Sequence, residues 1–515
     1  MRSWLLALTV LATAWLPEGR AREPVNLGHD SADAQDAVLP DDDPSKTQED
    51  EIEVVLHQGH IKTVRQDAGG GGRHVYAFKG IPYAQPPVGE LRLRDPVAAA
   101  PWEGVRDGTV TPPKCPQREY KGRSFEVIGK EDCLYLSVYT PRAYKSNLPV
   151  MVWFHGGGFR SGSGDREPRL AKDLVVVTVH YRLGLLGFLS TEDDVLPGNL
   201  GLKDQTMALR WVKDNIHDLG GDPDKVTIFG VSAGGASVHY HILSPMSKGL
   251  FTRAIMQSGS ALCPWALASN HAKMAIEVMQ RLNCSDVTFP PLDTRGLLAC
   301  LQEVPVKDLL ELPSLELKIS EFAPRVDGAF LPDHPAVLLQ EGRFNAVDLI
   351  SGTTEQEGAS FTKYFFAKEE FARYINDHFT TGVPEMLFLQ DGDSPADMAR
   401  RIFFQYVGDL QALPGDKQRL IEMFGHRFNI VCQDETALLH ARAPSGKKVF
   451  AYEFSHRPFA RAYHDSLSFG TERYAGHLDD LQFLFEGVAP PLSHPQDRFV
   501  SRLMMAMWTN FAETG

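Results

Sequence analysis

From about Val54 onward the chain alternates between short, almost unbroken apolar runs and longer stretches whose apolar positions recur three and four residues apart. The runs are Leu148–Phe154, Leu174–Val179, Val226–Phe229, Ala254–Met256, Val347–Ile350 and Val449–Tyr452, each bounded by turn residues. An unbroken apolar run predicts a strand covered on both faces, as in a parallel sheet; a strand with one wet face would alternate. Asp204–Ile216 carries Ala208, Leu209, Trp211, Val212 and Ile216 at near-helical spacing, which predicts a helix with one apolar side. Alternating strand and helix signals predict an α/β fold on a large, mostly parallel sheet flanked by helices. Long inserts, Asp286–Ala323 and Glu357–Leu420, separate the later strands, and no repeat or second domain emerges. Gly69-Gly70-Gly71-Gly72 lies between two β-like runs and predicts a hairpin loop. A phosphate cradle would need a Lys-Ser/Thr and a helix start after it.

The N-terminal region follows a different pattern. Arg2 precedes an apolar run from Trp4 to Leu16, and the small residues Gly19 and Ala21 follow. This predicts a signal peptide over residues 1–21, too short to span a bilayer. Residues 22–51 are crowded with acidic side chains, among them Asp41, Asp42 and Asp43, and lack aromatics. Such a segment repels itself and buries little, so it predicts a solvated tail ahead of a single domain over 52–515. No later stretch predicts a transmembrane helix. Six cysteines behind a signal peptide predict disulfides in a secreted, extracellular protein, and none has zinc-ribbon or redox spacing. Their connectivity is open from spacing alone. A formal net charge of -14 argues against nucleic acid, whose phosphates need a basic surface. Hydrophobic residues at 43% and charged residues at 23% suit a soluble globular chain long enough to enclose a dry pocket.

The sharpest chemical signal is Val226-Thr227-Ile228-Phe229-Gly230-Val231-Ser232-Ala233-Gly234-Gly235. It reads as a strand running into Gly-x-Ser-x-Gly and then a helix start. A serine hydroxyl is a weak nucleophile, so it must sit on a tight turn where a base reaches it. Gly230 and Gly234 remove side chains that would clash there. The helix that follows aims its first N–H groups at developing negative charge. Upstream, Leu148–Phe154 leads into His155-Gly156-Gly157-Gly158-Phe159, and three glycines after a strand leave amides free to face an oxyanion.

With these motifs the chain resembles the type-B carboxylesterases, the carboxylesterase/cholinesterase family of α/β-hydrolases. The resemblance runs from Val54 to the end. It includes Phe78-Lys79-Gly80-Ile81-Pro82-Tyr83-Ala84, Glu131-Asp132-Cys133-Leu134-Tyr135-Leu136, Tyr181-Arg182-Leu183-Gly184 and Gly198-Asn199-Leu200-Gly201-Leu202-Lys203-Asp204-Gln205. It implies a serine esterase acting on a small-molecule ester without metal or cofactor. Ser232 is the implied nucleophile, and Gly157, Gly158 and Ala233 the implied oxyanion donors. Ser351-Gly352-Thr353-Thr354-Glu355-Gln356-Glu357-Gly358 points to Glu357 as the acid, with Glu355 the rival. Gly476-His477-Leu478-Asp479-Asp480 points to His477 as the base. The order Ser, Glu, His is the one such folds use.

The resemblance also implies disulfides Cys115–Cys133 and Cys284–Cys300, which leaves Cys263 a small buried residue and Cys432 without a partner. Members of the family usually continue beyond the equivalent of Gly515, leaving room for an anchor or a partner cysteine. Two departures argue against a choline ester: Pro116–Asp132 contains no Trp, and Val231 rather than glutamate precedes Ser232. A general carboxylesterase is expected, beside a hormone-directed esterase of the juvenile-hormone-esterase kind, a secreted lipase, or a non-catalytic adhesion member of the superfamily. Asn283-Cys284-Ser285 is the one glycosylation sequon. Oligomeric state is not legible.

Overall fold

The computed structural model describes residues 50–515 except 68–73, 122–123, 145, 170–172, 285–286, 313–321, 367–372, 374–375, 391, 410–416 and 460–473. The expected signal peptide, nearly all of the acidic segment, and the expected Gly69–Gly72 hairpin loop lie outside the described residues. The first described strand takes in Glu51.

The described residues form thirteen strands: β1 (Glu51–Leu56), β2 (Gly59–Asp67), β3 (His74–Pro82), β4 (Val105–Asp107), β5 (Gln117–Lys121), β6 (Ser124–Ile128), β7 (Tyr135–Thr140), β8 (Leu148–Phe154), β9 (Val175–Val179), β10 (Gly221–Val231), β11 (Arg253–Gln257), β12 (Asp348–Thr354) and β13 (Val449–Phe454). One large sheet runs β1-β2-β3-β7-β9-β8-β10-β11-β12-β13, with β4 beside β2. Pairing is antiparallel from β1 to β9 and parallel from β9 through β13. The sheet is therefore mixed, with its parallel part where the apolar runs fall. β2 and β3 pair antiparallel across the tetraglycine, as a hairpin requires.

The apolar runs are strands because both faces are covered. Val150, Val152 and Phe154 pack with Ala208, Leu209 and Val212 of helix Leu200–Asn215 and with Val238 and Ile242 of helix Ala233–Leu243. Their alternates, Met151 and Trp153, pack with Trp508, Phe511 and Ala512 of helix Pro495–Thr514. Two details depart from the sequence pattern. Helix Leu200–Asn215 starts four residues before Asp204, after Asn199 in the left-handed region, because Leu200 and Leu202 are buried as well. β13 is an edge strand with Phe450 and Ala451 exposed, although its run reads as doubly covered.

Cys115–Cys133 and Cys284–Cys300 are joined. The expectation for the other two cysteines is corrected, since Cys263 and Cys432 are disulfide-bonded across 169 residues. The end of β11 and the segment running into helix Val431–Arg442 meet, with Asn429 Nδ2 donating to Ser258 O at 2.7 Å and Gln433 Nε2 to Met256 O at 3.0 Å. No described helix is long and apolar enough to cross a membrane.

Candidate active site

The register of the parallel strands brings four strand ends side by side. Gly230 in β10 lies opposite both Phe154 in β8 and Met256 in β11, and Gln257 lies opposite Gly352 in β12. The segments leaving these ends carry the glycine loop, Ser232, Ser258 and Glu357. In open α/β sheets this carboxyl edge is where ligands bind.

Ser232 sits between β10 and helix Ala233–Leu243 with φ 59° and ψ -124°. A non-glycine residue in that region is strained. Ser232 N–H donates to Gln257 O at 2.8 Å, and Ser232 O accepts from Ala236 N at 2.9 Å. The flanking glycines are required by close approach. A Cβ on Gly234 would lie 2.0 Å from Phe154 O, and one on Gly230 would lie 2.6 Å from the Gly234 carbonyl. Ala233 opens the helix, whose first N–H groups have no intrahelical partner.

The glycine loop runs against this turn. A Cβ on Gly156 would meet Val231 O at 2.6 Å and Ser232 Cβ at 3.1 Å. Gly157 O accepts the amides of Arg160 and Ser161 at 3.1 Å, folding the loop back. His155 anchors it from below. Its ring stacks on Tyr181 at 4.3 Å, Nδ1 faces Gly156 O at 2.9 Å, and Tyr181 O–H donates to His155 O at 2.6 Å. Burial drives the His155 pKa down to about 3, so the anchor is neutral. Gln117 clamps Gly162 from both sides, donating to its carbonyl at 2.7 Å and accepting its amide at 2.8 Å. A cleft of about 950 Å³, open mouth included, touches Gly157 and is walled by Leu185, Leu309, Leu310 and Phe322.

Glu357 and His477 are brought together from 120 residues apart. His477 Nδ1 and Glu357 Oε2 are 2.6 Å apart, and both side chains are buried. Gln356 bridges to Gly476, which aligns the two loops. Glu357 Oε1 accepts from Thr354 N at 2.7 Å and from Ser258 Oγ at 2.5 Å. Burial alone would push its carboxyl up. The charge and bond of His477, with the bonds from Ser258 and Thr354, outweigh burial and hold it below the usual carboxylate range. It is thus ionised at neutral pH, and Phe361 packs against the imidazole at 5.8 Å. Glu355 goes elsewhere: it is exposed and pairs with Arg457 at 3.3 Å. Ser232 Oγ and His477 are not hydrogen-bonded to each other in this structure.

Three residues at this edge were given no role by the sequence. Ser258 binds Glu357, Gln257 binds the Ser232 amide, and Asp480 is buried three residues after His477 with Oδ2 2.7 Å from Gln257 Nε2. Their one signal was position, directly after the apolar run Ala254–Met256 or beside the histidine. Asn283 is exposed next to the bonded Cys284, and Ser285 of its sequon lies outside the described residues.

A model of the Carboxylesterase family matches residues 50–515. Venom carboxylesterase-6 of Apis mellifera is 34% identical over 479 residues, covering 89% of this chain and 84% of that protein. Pyrethroid hydrolase Ces2e of Rattus norvegicus is 36% identical over 473 residues, 86% of this chain and 78% of that one. Juvenile hormone esterase of Tribolium castaneum is 34% identical over 477 residues, 86% and 80% respectively. A match across nearly every described residue, on a sheet that presents a strained serine and a buried glutamate–histidine pair at one edge, makes this chain a member of the carboxylesterase family of α/β-hydrolases.

Proposed function

We propose that this protein is a secreted serine esterase that cleaves carboxylic esters through an acyl-enzyme on Ser232. His477 takes the Ser232 proton as Oγ attacks the ester carbonyl. The N–H groups of Gly157, Gly158 and Ala233 receive the oxyanion. His477 then returns the proton to the leaving alcohol, and water repeats the cycle on the acyl group. Glu357 orients the ring and stabilises its cationic form. Nε2 of His477 must close on Ser232 Oγ for this, and such contacts commonly tighten only when substrate binds.

The observation that carries the reading is the buried 2.6 Å pair between Glu357 and His477, carried at the same carboxyl edge of the sheet as a serine held at φ 59°. A binding protein that merely kept the fold would have no use for an ionised, buried relay of this kind, which favours the enzyme over the adhesion reading. The cleft joins the apolar Leu185, Leu309, Leu310 and Phe322 to the charged Arg118, Arg160, Glu277 and Arg281, and Val231 in place of glutamate before the nucleophile argues against a choline ester. Three disulfides support an oxidising compartment. Relatives carry names as different as venom carboxylesterase, pyrethroid hydrolase and juvenile hormone esterase, so a panel of esters varying in acyl length and alcohol selects among substrates. The mechanism is tested with Ser232→Ala, which is expected to abolish hydrolysis of a short-chain aryl ester while keeping the wild-type thermal midpoint. Unchanged turnover in that variant rejects it.

A further inference from the structure

The end of β11 does more than complete the sheet. The Gln257 carbonyl accepts the Ser232 amide at 2.8 Å, and the Gln257 side-chain amide donates to Asp480 Oδ2 at 2.7 Å. Both Gln257 and Asp480 are fully buried. One residue is therefore bonded to the backbone of the nucleophile and to the loop carrying the histidine. Glu357 holds His477 only through Nδ1, on the side of the ring away from Nε2. With no direct bond between Ser232 Oγ and His477, their separation is set by where the two backbones are tied, and Gln257 is such a tie.

We propose that Gln257 and Asp480 form a buried brace beneath Ser232 and His477, in which Asp480 is a positioning residue for ester hydrolysis whose charge also favours the imidazolium; this rests on the triad reading above. The groups facing Asp480 are Glu357 from the segment after β12, His477 on its own loop, Tyr452 from β13 and the neutral Gln257 from β11, while the adjacent Asp479 accepts from Gly476 N at 2.9 Å. Asp480 Oδ1 and Gln257 Oε1 have no hydrogen-bond partner among the described residues. Burial first, and the charge of Glu357, push the Asp480 carboxyl up to about 6 against the pull of Gln257 and His477. Above that pH the fold holds a second, fully buried carboxylate near the triad, bonded to Gln257 and beside the Tyr452 hydroxyl, an arrangement unfavourable for folding. Asparagine would occupy the same space without that penalty, and its Oδ1 can accept the same bond from Gln257 Nε2. What asparagine lacks is the negative charge. An anion near His477 stabilises the imidazolium formed as Ser232 attacks.

The test uses Asp480→Asn and Asp480→Ala in the full chain. It follows kcat and KM on a neutral aryl ester across pH, and thermal midpoints at pH 8. The alanine variant is expected to lose roughly 10- to 100-fold in kcat with KM within about twofold, the scale of a small misplacement of reacting groups. The asparagine variant is expected to lose less, to move the acid limb of kcat/KM to lower pH, and to melt higher than wild type. Opposite signs for stability and activity are what a merely structural role does not produce. A wild-type acid limb in Asp480→Asn, or a midpoint that falls in step with its activity, overturns the proposal. If the alanine variant fails to fold, the asparagine variant decides alone. An active wild type with an inert Ser232→Ala establishes the triad independently, so failure of the brace is seen separately; an inactive wild type overturns both.

Discussion

Ser258 Oγ lies 2.5 Å from Glu357 Oε1, while the other oxygen of the same carboxylate holds His477 Nδ1 at 2.6 Å. The carboxylate is thus fixed from two sides, with the Thr354 amide as a third donor. Glu357→Gln keeps the shape but presents an amide to the imidazole and removes the charge that favours its cation. A fall of about 10³- to 10⁴-fold in kcat is expected, with little change in KM. A loss below about tenfold would show that Glu357 does not serve the histidine.

Gly156 has a similarly narrow tolerance. A methyl there would press on Val231 O at 2.6 Å and on Ser232 Cβ at 3.1 Å. Gly156→Ala is expected to displace the glycine loop from the nucleophile and cost roughly 100- to 1000-fold in kcat, as loss of one oxyanion donor does. Far-ultraviolet circular dichroism should remain that of wild type. Wild-type kcat would place the oxyanion donors elsewhere.

Several buried histidines make stability depend on pH. Burial holds His155 and His241 down to about 3, and His180, His271 and His440 down to about 4. His440 faces His239 with Nε2 atoms 3.1 Å apart, and His239 Nδ1 already accepts from Ala261 N, so charging both rings sets like charges together. The unfolded chain takes up protons near 6.5 while the folded one does not. Stability is therefore full above about 6.5 and falls as pH drops toward 4, each ring contributing up to roughly 1.4 kcal/mol per pH unit. Thermal midpoints are expected to be nearly level from pH 7 to 8.5 and to drop steeply by pH 5. Equal midpoints at pH 7 and 5 would contradict this.

The Cys263–Cys432 bond closes a loop of 169 residues. In the chain-entropy view such a cross-link stabilises by about 5 kcal/mol. Replacing both cysteines with alanine is expected to lower the thermal midpoint clearly, and more than removing Cys284–Cys300, whose loop spans 16 residues. The reverse order would contradict that account.

The parts of the site that were legible in the sequence are those where chemistry forces a local pattern. Ser232 needs a tight turn, and the turn needs glycines, so its neighbourhood is written into ten consecutive residues. The doubly covered strands are legible because burial on both faces removes polar positions. β13 misleads for the same reason: Phe450 and Ala451 are apolar yet lie at an exposed edge. Long-range partnerships leave no local trace. Nothing near Cys263 indicates Cys432, and Gln257, Ser258 and Asp480 are ordinary polar residues whose work depends on strand ends meeting. Without a family resemblance, His477 was one of eighteen histidines, because a catalytic imidazole imposes no spacing on its neighbours.

The central claim is that Ser232 is the activated nucleophile. Labelling the intact protein with a fluorophosphonate and mapping the adduct by peptide mass spectrometry tests it most directly. The account predicts one modified residue, Ser232, with hydrolysis lost in proportion to labelling and no adduct in His477→Ala under the same exposure. Complete ester hydrolysis by a protein whose Ser232 peptide stays unmodified, or an adduct on another serine, would contradict it.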